Sequence, residues 1–296
     1  MPLILVFQVD GQDLEAAERA LWDCGAQSIT ALDAGGRPVL EPGPGETPVW
    51  DRVRIEALLP DDCDPDAVAL AYLAQGPQPV PGSLRFEQRA EQDWVRAWMD
   101  RFQPMRFGHR LWICPSHCQP EPEWPVVVRL DPGLAFGSGT HPTTALCLEW
   151  LDGQDLQGRV VLDFGCGSGI LAIAALKLGA RRAFAIDHDP QALEATRDNA
   201  RANGVADRIT VLSPAQAPDC AADVVVANIL AEPLIELAGS IVGSLAPGGR
   251  LALSGILVEQ AGRVRDRYAE RLTPTGQAEQ AGWVRLDFQD QRSAAG

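Results

Sequence analysis

The stretch RVVLDFGCGSGILAIAALKLGA, Arg159 to Ala180, decides the fold. It opens as a short apolar run, Val160 to Phe164, broken by one acid, Asp163. Three glycines follow at alternate positions, Gly165, Gly167 and Gly169. Then come nine residues rich in alanine, leucine and isoleucine, without proline or glycine. A short apolar run closed by glycines predicts a buried strand, and the residues after it favour a helix. Glycines at such a joint let the chain turn tightly and bring backbone N–H groups close to a ligand at the helix N-terminus.

The same rhythm continues downstream. AFAIDHDP (183–190) reads as a strand and QALEATRDNARANG (191–204) as a helix stopped at Gly204. RITVLS and ADVVVANIL read as further strands, PLIELAGSIVGSLAPGG as one helix with its stop, and RLALSGIL as a strand. Upstream, ALCLEWLDG (145–153) reads as a helix. Strands alternating with helices predict a doubly wound, Rossmann-like α/β domain with a mainly parallel sheet. In such sheets the ligand lies beyond the carboxyl ends of the strands, near the point where strand order reverses.

Residues 1–89 have a different pattern. Strand LILVFQV, helix DLEAAERALWDCG, strand QSITALD, strand WDRVRIEALL, helix DPDAVALAYLAQG and strand SLRFEQRA follow one another. Asp64 reads as the N-cap of the second helix and Gly76 as its stop. The order β-α-β-β-α-β predicts a small ferredoxin-like α+β domain. Residues 90–103 read as a connecting helix, with Trp94, Trp98 and Phe102 on one face. RFGHRLWICPS and PVVVRLDPG read as strands that lead into the second domain.

Composition narrows the function. The chain of 296 residues has a net charge of −15. Its first 89 residues hold 15 acidic side chains against six arginines and no lysine. Nucleic-acid binding rests on basic patches, so direct sequence-specific binding to nucleic acid is not expected; the acidic balance reads either as a source of solubility or as a field that attracts and steers a basic macromolecular partner. No apolar run approaches the ~20 residues that span a bilayer, and the start of the chain lacks a signal peptide's basic region, so a cytoplasmic protein without a membrane role is expected. Seven scattered cysteines fit a reducing compartment. Cys114, His117 and Cys118 lack a second pair at ligand spacing, and no metal is expected.

Three motifs carry the chemistry. The glycines follow G-x-G-x-G rather than the dinucleotide spacing, and the loop carries Asp163 and no lysine. That is a poor cradle for a pyrophosphate and a better one for S-adenosyl-L-methionine, whose carboxylate suits a helix N-terminus and whose positive charges suit an aspartate. Asp187 closes the next strand about twenty residues on, where an acid accepts from ribose hydroxyls. An isolated aspartate there would read as a helix cap, but Asp189, just before Pro190, is the better cap. Asn228 ends an apolar strand with an amide, whose oxygen can accept from an amine nucleophile and aim its lone pair. A fourth segment, LDPGLAFGSGTHPTTALCLEWL, has a glycine-rich loop and then Thr140, His141, Thr143 and Thr144, more polar groups than capping needs. It reads as a lid. His141 is a candidate base or a packing histidine.

LDPGLAFGSGTHPTTALCL, VVLDFGCGSGILAIAALKLGA, AIDHDPQALEATRDNARANG, ADVVVANILAEPL and LALSGIL together resemble the bacterial methyltransferases of ribosomal large-subunit protein eleven, as do EQDWVRAW and LWICPS. The resemblance is strong over about 90–290. It implies a substrate-recognition domain at 1–89, a linker helix at 90–103 and an S-adenosylmethionine-dependent methyltransferase domain at 104–296. It implies methylation of lysine side chains and the N-terminal α-amine of that ribosomal protein, free or on the ribosome. By position, Thr144, Gly165, Asp187 and Asn228 contact or border the cofactor, joined by Asp163, Gly167, Gly169, Phe136, Gly137, Thr140 and His141, while Asn228 also positions the amine. Ser138, His188 and Glu232 depart from the pattern. The rival readings are a methyltransferase acting on another protein amine or amide or on RNA, a dinucleotide-dependent oxidoreductase, and a non-catalytic binding module.

Overall fold

Every second residue of VRIEALL faces a core in the structure, where Val53, Ile55, Ala57 and Leu59 are buried and Arg54, Glu56 and Leu58 between them are not. The computed structural model describes residues 3–35, 50–60, 63–88, 103–131, 141–216 and 221–292. Contacts divide the chain into two compact units, Met1–Trp98 and Met99–Gly296.

In the first unit, β1 (Leu3–Asp10), α1 (Leu14–Asp23), β2 (Ser28–Asp33), β3 (Arg52–Leu59), α2 (Pro65–Gln75) and β4 (Arg85–Gln88) succeed one another. The sheet order is β2-β3-β1-β4 with every pair antiparallel. That is the ferredoxin-like topology the element order predicts. Leu5, Phe7 and Val9 of β1 meet Ala17 and Leu21 of α1 and Tyr72 of α2 in its core. Asp64 caps α2, accepting from the Asp66 N–H at 3.1 Å. Gly76 is its C-cap, in extended backbone, where a Cβ would lie 2.6 Å from the Tyr72 ring.

The second unit starts with a small sheet of β5 (Met105–Phe107), β6 (Leu111–Cys114) and β7 (Val126–Arg129). Then come α3 (Pro142–Asp152), β8 (Val160–Phe164), α4 (Ile170–Lys177), β9 (Arg182–Ile186), α5 (Pro190–Ala202), β10 (Ile209–Leu212) and β11 (Ala222–Asn228). The chain ends with α6 (Ala231–Glu236), α7 (Ala238–Gly243), β12 (Leu245–Leu257), α8 (Ala261–Ala269), β13 (Thr273–Gln280) and β14 (Trp283–Gln289). The large sheet has the order β10-β9-β8-β11-β12-β14-β13. The first five strands are parallel and β14 is antiparallel to both its neighbours. Apolar groups cover both faces. Val161, Val226 and Ala252 pack with α3 and α4, while Leu162, Val225 and Leu253 pack with α6, α7 and α8.

Strand order reverses between β8 and β11, so their carboxyl ends open the crevice where such sheets bind ligands. The glycine loop, Asp187 and Asn228 all lie at this end of the sheet.

The segment 233–249 is not one helix. The chain turns at Leu237 (φ −87°, ψ 4°) between two six-residue helices, next to Gly239 and Ser240, which favour helix weakly. Nor do the glycines of LAPGG stand outside the sheet. β12 already begins at Leu245, which pairs with Ala222 before the register slips and resumes at Arg250. A β13–β14 hairpin, for which the sequence pattern gives no signal, completes the sheet. β13 is an edge strand with no buried residue, so its sequence lacks an apolar face, and its turn uses Ala281 and Gly282, both with positive φ, in place of Asn-Gly. The connecting helix expected at 90–103 lies, apart from Gln103, outside the described residues.

Candidate active site

Gly165 has φ +78°, and a Cβ there would lie 2.3 Å from Cγ2 of Ile229, so the turn after β8 admits only glycine. The Gly165 and Cys166 N–H groups both donate to the Ile186 carbonyl, at 2.8 and 3.0 Å, tying the loop to the end of β9. From α5, the Thr196 hydroxyl donates to Gly167 O at 2.9 Å and the Asn199 amide to Ser168 O at 2.8 Å. The loop is therefore a braced cradle. Four of its N–H groups are already engaged within the protein, because Gly167 N–H donates to Asp187 Oδ2 at 2.9 Å and Gly169 N–H to the Cys166 carbonyl at 2.8 Å.

Asp187 is nearly buried, and its other oxygen accepts from the Asp189 N–H at 3.0 Å. Asp189 caps α5, accepting from the Gln191 N–H at 2.9 Å, as its position before Pro190 predicts. His188 is exposed, with Nδ1 3.4 Å from Asp187 Oδ1. Asp163 is fully buried on β8. One of its oxygens accepts from the Ala172 N–H of α4 at 3.1 Å, and the other has no hydrogen-bond partner among the described residues. Burial pushes its carboxyl up to about 7, helped by the negative charge of Asp187 and opposed by the Ala172 N–H.

Asn228 ends β11. Its Nδ2 donates to the Thr144 hydroxyl at 3.2 Å, across 84 positions of sequence. This bond fixes the amide and leaves Oδ1 to accept from another group. Thr144 is buried in the first turn of α3. His141 caps that helix. Its Nδ1 lies 2.8 Å from Thr143 Oγ1 and its ring packs edge-on against Trp283, with centroids 5.0 Å apart. Desolvation lowers its pKa, so the imidazole favours the neutral form. Phe136, Gly137 and Thr140, and the rest of the expected lid, lie outside the described residues.

Tested against S-adenosylmethionine, these groups fit. An orphaned buried carboxylate oxygen and a second aspartate suit a ligand carrying positive charge, and residues 163–170 bring no basic side chain for a pyrophosphate. Residues 3–291 match the family model described as ribosomal protein L11 methyltransferase (PrmA). The chain belongs to this family. The family is S-adenosylmethionine-dependent. The ribosomal protein L11 methyltransferase of Pseudomonas paraeruginosa is 55% identical over 291 residues, which is 97% of this chain and 98% of that protein. The Azotobacter vinelandii protein of the same name is 56% identical over 276 residues, 92% of this chain and 93% of its own. The crystal structure of the ribosomal protein L11 methylase from Lactobacillus delbrueckii subsp. bulgaricus superposes with a TM-score of 0.59 at 32% identity, covering 64% of this chain and all of that one. As a member of this family the chain is a methyltransferase, which sets aside the oxidoreductase and binding-module readings.

Sequence reasoning picked out Asn228 and Thr144 separately and missed their partnership. It also missed two buried polar groups packed on α3, Ser254 and Arg285. The signal available was weak: one hydroxyl inside the apolar run RLALSGIL, and an arginine inside WVRLDF.

Proposed function

We propose that this chain methylates amino groups of ribosomal protein L11, both lysine side chains and the N-terminal α-amine. The observation that carries the reading is the Asn228 amide, held by Thr144 at the carboxyl end of β11 beside the glycine cradle. Gly165, Gly167 and Gly169 would hold the cofactor against the loop, Asp187 would take its ribose hydroxyls, and Asp163 would favour its positive charges. Phe136, Gly137, Thr140 and His141 would border it. Bound there, S-adenosylmethionine supplies an activated methyl group on a sulfonium.

The protein's own task is to deliver a neutral amine in line. Deprotonating a lysine near 10.4 at pH 7 costs roughly 4–5 kcal/mol, whereas an α-amine near 7.7–8.0 needs about 1 kcal/mol. Desolvation lowers the cost for lysine. Asn228 Oδ1 accepts an N–H of the amine and so points its lone pair, and alignment at about 3–3.5 Å supplies much of the acceleration.

We assign substrate recognition to residues 1–89, whose 15 acidic side chains suit a basic ribosomal protein, with 90–103 as the linker and 104–296 as the methyltransferase domain. The acidic balance disfavours RNA as substrate. Among the described residues no helix is long and apolar enough to cross a membrane. We place the enzyme in the cytoplasm, where ribosomal proteins are made, acting on L11 either free or on the ribosome. Mass spectrometry of recombinant L11 incubated with the enzyme and S-adenosylmethionine tests the reading. Whole-methyl mass gains on amino groups support it. An unchanged mass with intact cofactor binding overturns the substrate assignment.

A further inference from the structure

Three neighbouring strands of the large sheet each send one polar side chain to α3. From β11, Asn228 donates to the Thr144 hydroxyl. From β12, Ser254, directly opposite Asn228 in register, donates its hydroxyl to the Thr143 carbonyl at 3.1 Å. From β14, Arg285 donates Nη1 to the Leu146 carbonyl at 2.6 Å. Arg285 is neutralised on its own strand by a two-point pair with Asp287, at 2.7 and 3.0 Å, and both side chains are buried.

The register explains how these groups come to face one helix. Leu253 pairs with Leu286 and Ile256 with Val284, so Ser254 and Gly255 together oppose Arg285. This is a β-bulge, a device that re-aims a side chain at the end of a strand. It occurs where the backbone of Ile229, next to Asn228, crowds β12. A Cβ on Gly255 would lie 2.3 Å from Ile229 O, and Gly255 has φ +85°. Thr143 and Leu146 are three residues apart and share one face of α3. Two bonds to carbonyls on that face set both the height and the rotation of the helix, and hence the place of the Thr144 hydroxyl.

We propose that Ser254 and Arg285 are positioning residues for methyl transfer: they anchor α3 so that Thr144 holds the Asn228 amide by its Nδ2, with Oδ1, which accepts from no other group among the described residues, left to the amine. This rests on the amine-orienting role given to Asn228 above. Neither residue needs to touch substrate or cofactor. Loss of either therefore slows turnover while leaving binding intact, and loses its effect once Thr144 can no longer take the Asn228 N–H.

The test is a double-mutant cycle on the full-length enzyme, with recombinant L11 and S-adenosylmethionine as substrates. Ser254→Ala is expected to lower kcat about tenfold, with the cofactor Kd and the KM for L11 within about twofold; in a Thr144→Val background it lowers kcat further by less than about twofold. A second arm replaces the buried pair as a unit, Arg285→Met with Asp287→Leu, so that no charge is stranded, and is expected to show the same loss of effect. If the losses multiply with that of Thr144→Val, or if neither arm changes kcat, the anchoring proposal is overturned. If Thr144→Val and Asn228→Ala themselves leave kcat unchanged, the amine-orienting role fails, and the proposal with it.

Discussion

Replacing Asp163 by asparagine should flatten the pH dependence of stability. In the folded chain burial pushes this carboxyl from 3.8 up to about 7. Between those values the folded state holds a proton that the unfolded state has lost. Stability from this group is therefore complete below about pH 4 and is lost as the pH rises through about 7, beyond which it is level. At about 1.4 kcal/mol for each tenfold change in proton concentration, the whole loss is about 4 kcal/mol, and about 3 kcal/mol of it falls between pH 5 and 8. Asparagine keeps an acceptor for the Ala172 N–H and cannot ionise. Its amide N–H groups enter a place where the Asp163 oxygen has no partner among the described residues, a cost of about 1–3 kcal/mol that does not change with pH. Urea unfolding of both proteins at half-unit steps from pH 5 to 8 reads the difference, in which the other titrating groups cancel. Wild-type stability should fall relative to the variant by about 3 kcal/mol over that range. A difference that stays constant would refute the burial argument. If the positive charges of S-adenosylmethionine lie near this carboxyl, cofactor affinity should also rise with pH up to about 7 in the wild type and not in the variant.

Asn228→Ala should lower kcat about 100-fold while the cofactor Kd, measured by calorimetric titration, moves less than about threefold; equal losses in both would mean that the amide serves binding rather than orientation. Gly165→Ala forces a side chain into a left-handed backbone and against Ile229, and should cost about 2 kcal/mol in urea unfolding along with much of the turnover; wild-type behaviour would show that the loop is not braced as described. Tyr268→Phe removes the hydroxyl that donates to the Leu234 carbonyl at 2.8 Å and should cost about 1–1.5 kcal/mol with kcat unchanged, whereas a loss of kcat would tie α6 and α8 to catalysis.

The parts of the candidate site legible in the sequence are those whose chemistry depends on near neighbours. Gly165, Gly167 and Gly169 announce a turn because a short apolar run precedes them and a helix former follows. Asp187 is readable because it ends the next strand, and Asp189 because Pro190 marks the helix start. Asn228 is readable because an amide interrupts an apolar run. His141 was ambiguous in sequence, since a capping histidine and a base look alike there, and its packing on Trp283 depends on residues 142 positions apart. The hairpin of β13 and β14 was invisible because an edge strand needs no apolar face.

Local pattern, then, determined the α/β class, the run of strands and helices, and which residues stand at strand ends, because periodicity and turn chemistry act over a few residues. Only the tertiary structure decided the order β10-β9-β8-β11-β12-β14-β13, the burial that raises the Asp163 pKa, and the grip of Asn228, Ser254 and Arg285 on one helix. Those features rest on hydrogen bonds spanning 84, 111 and 139 positions, and on desolvation by side chains from several elements. They come into being when the whole sheet closes on its helices, and no stretch of sequence contains both partners.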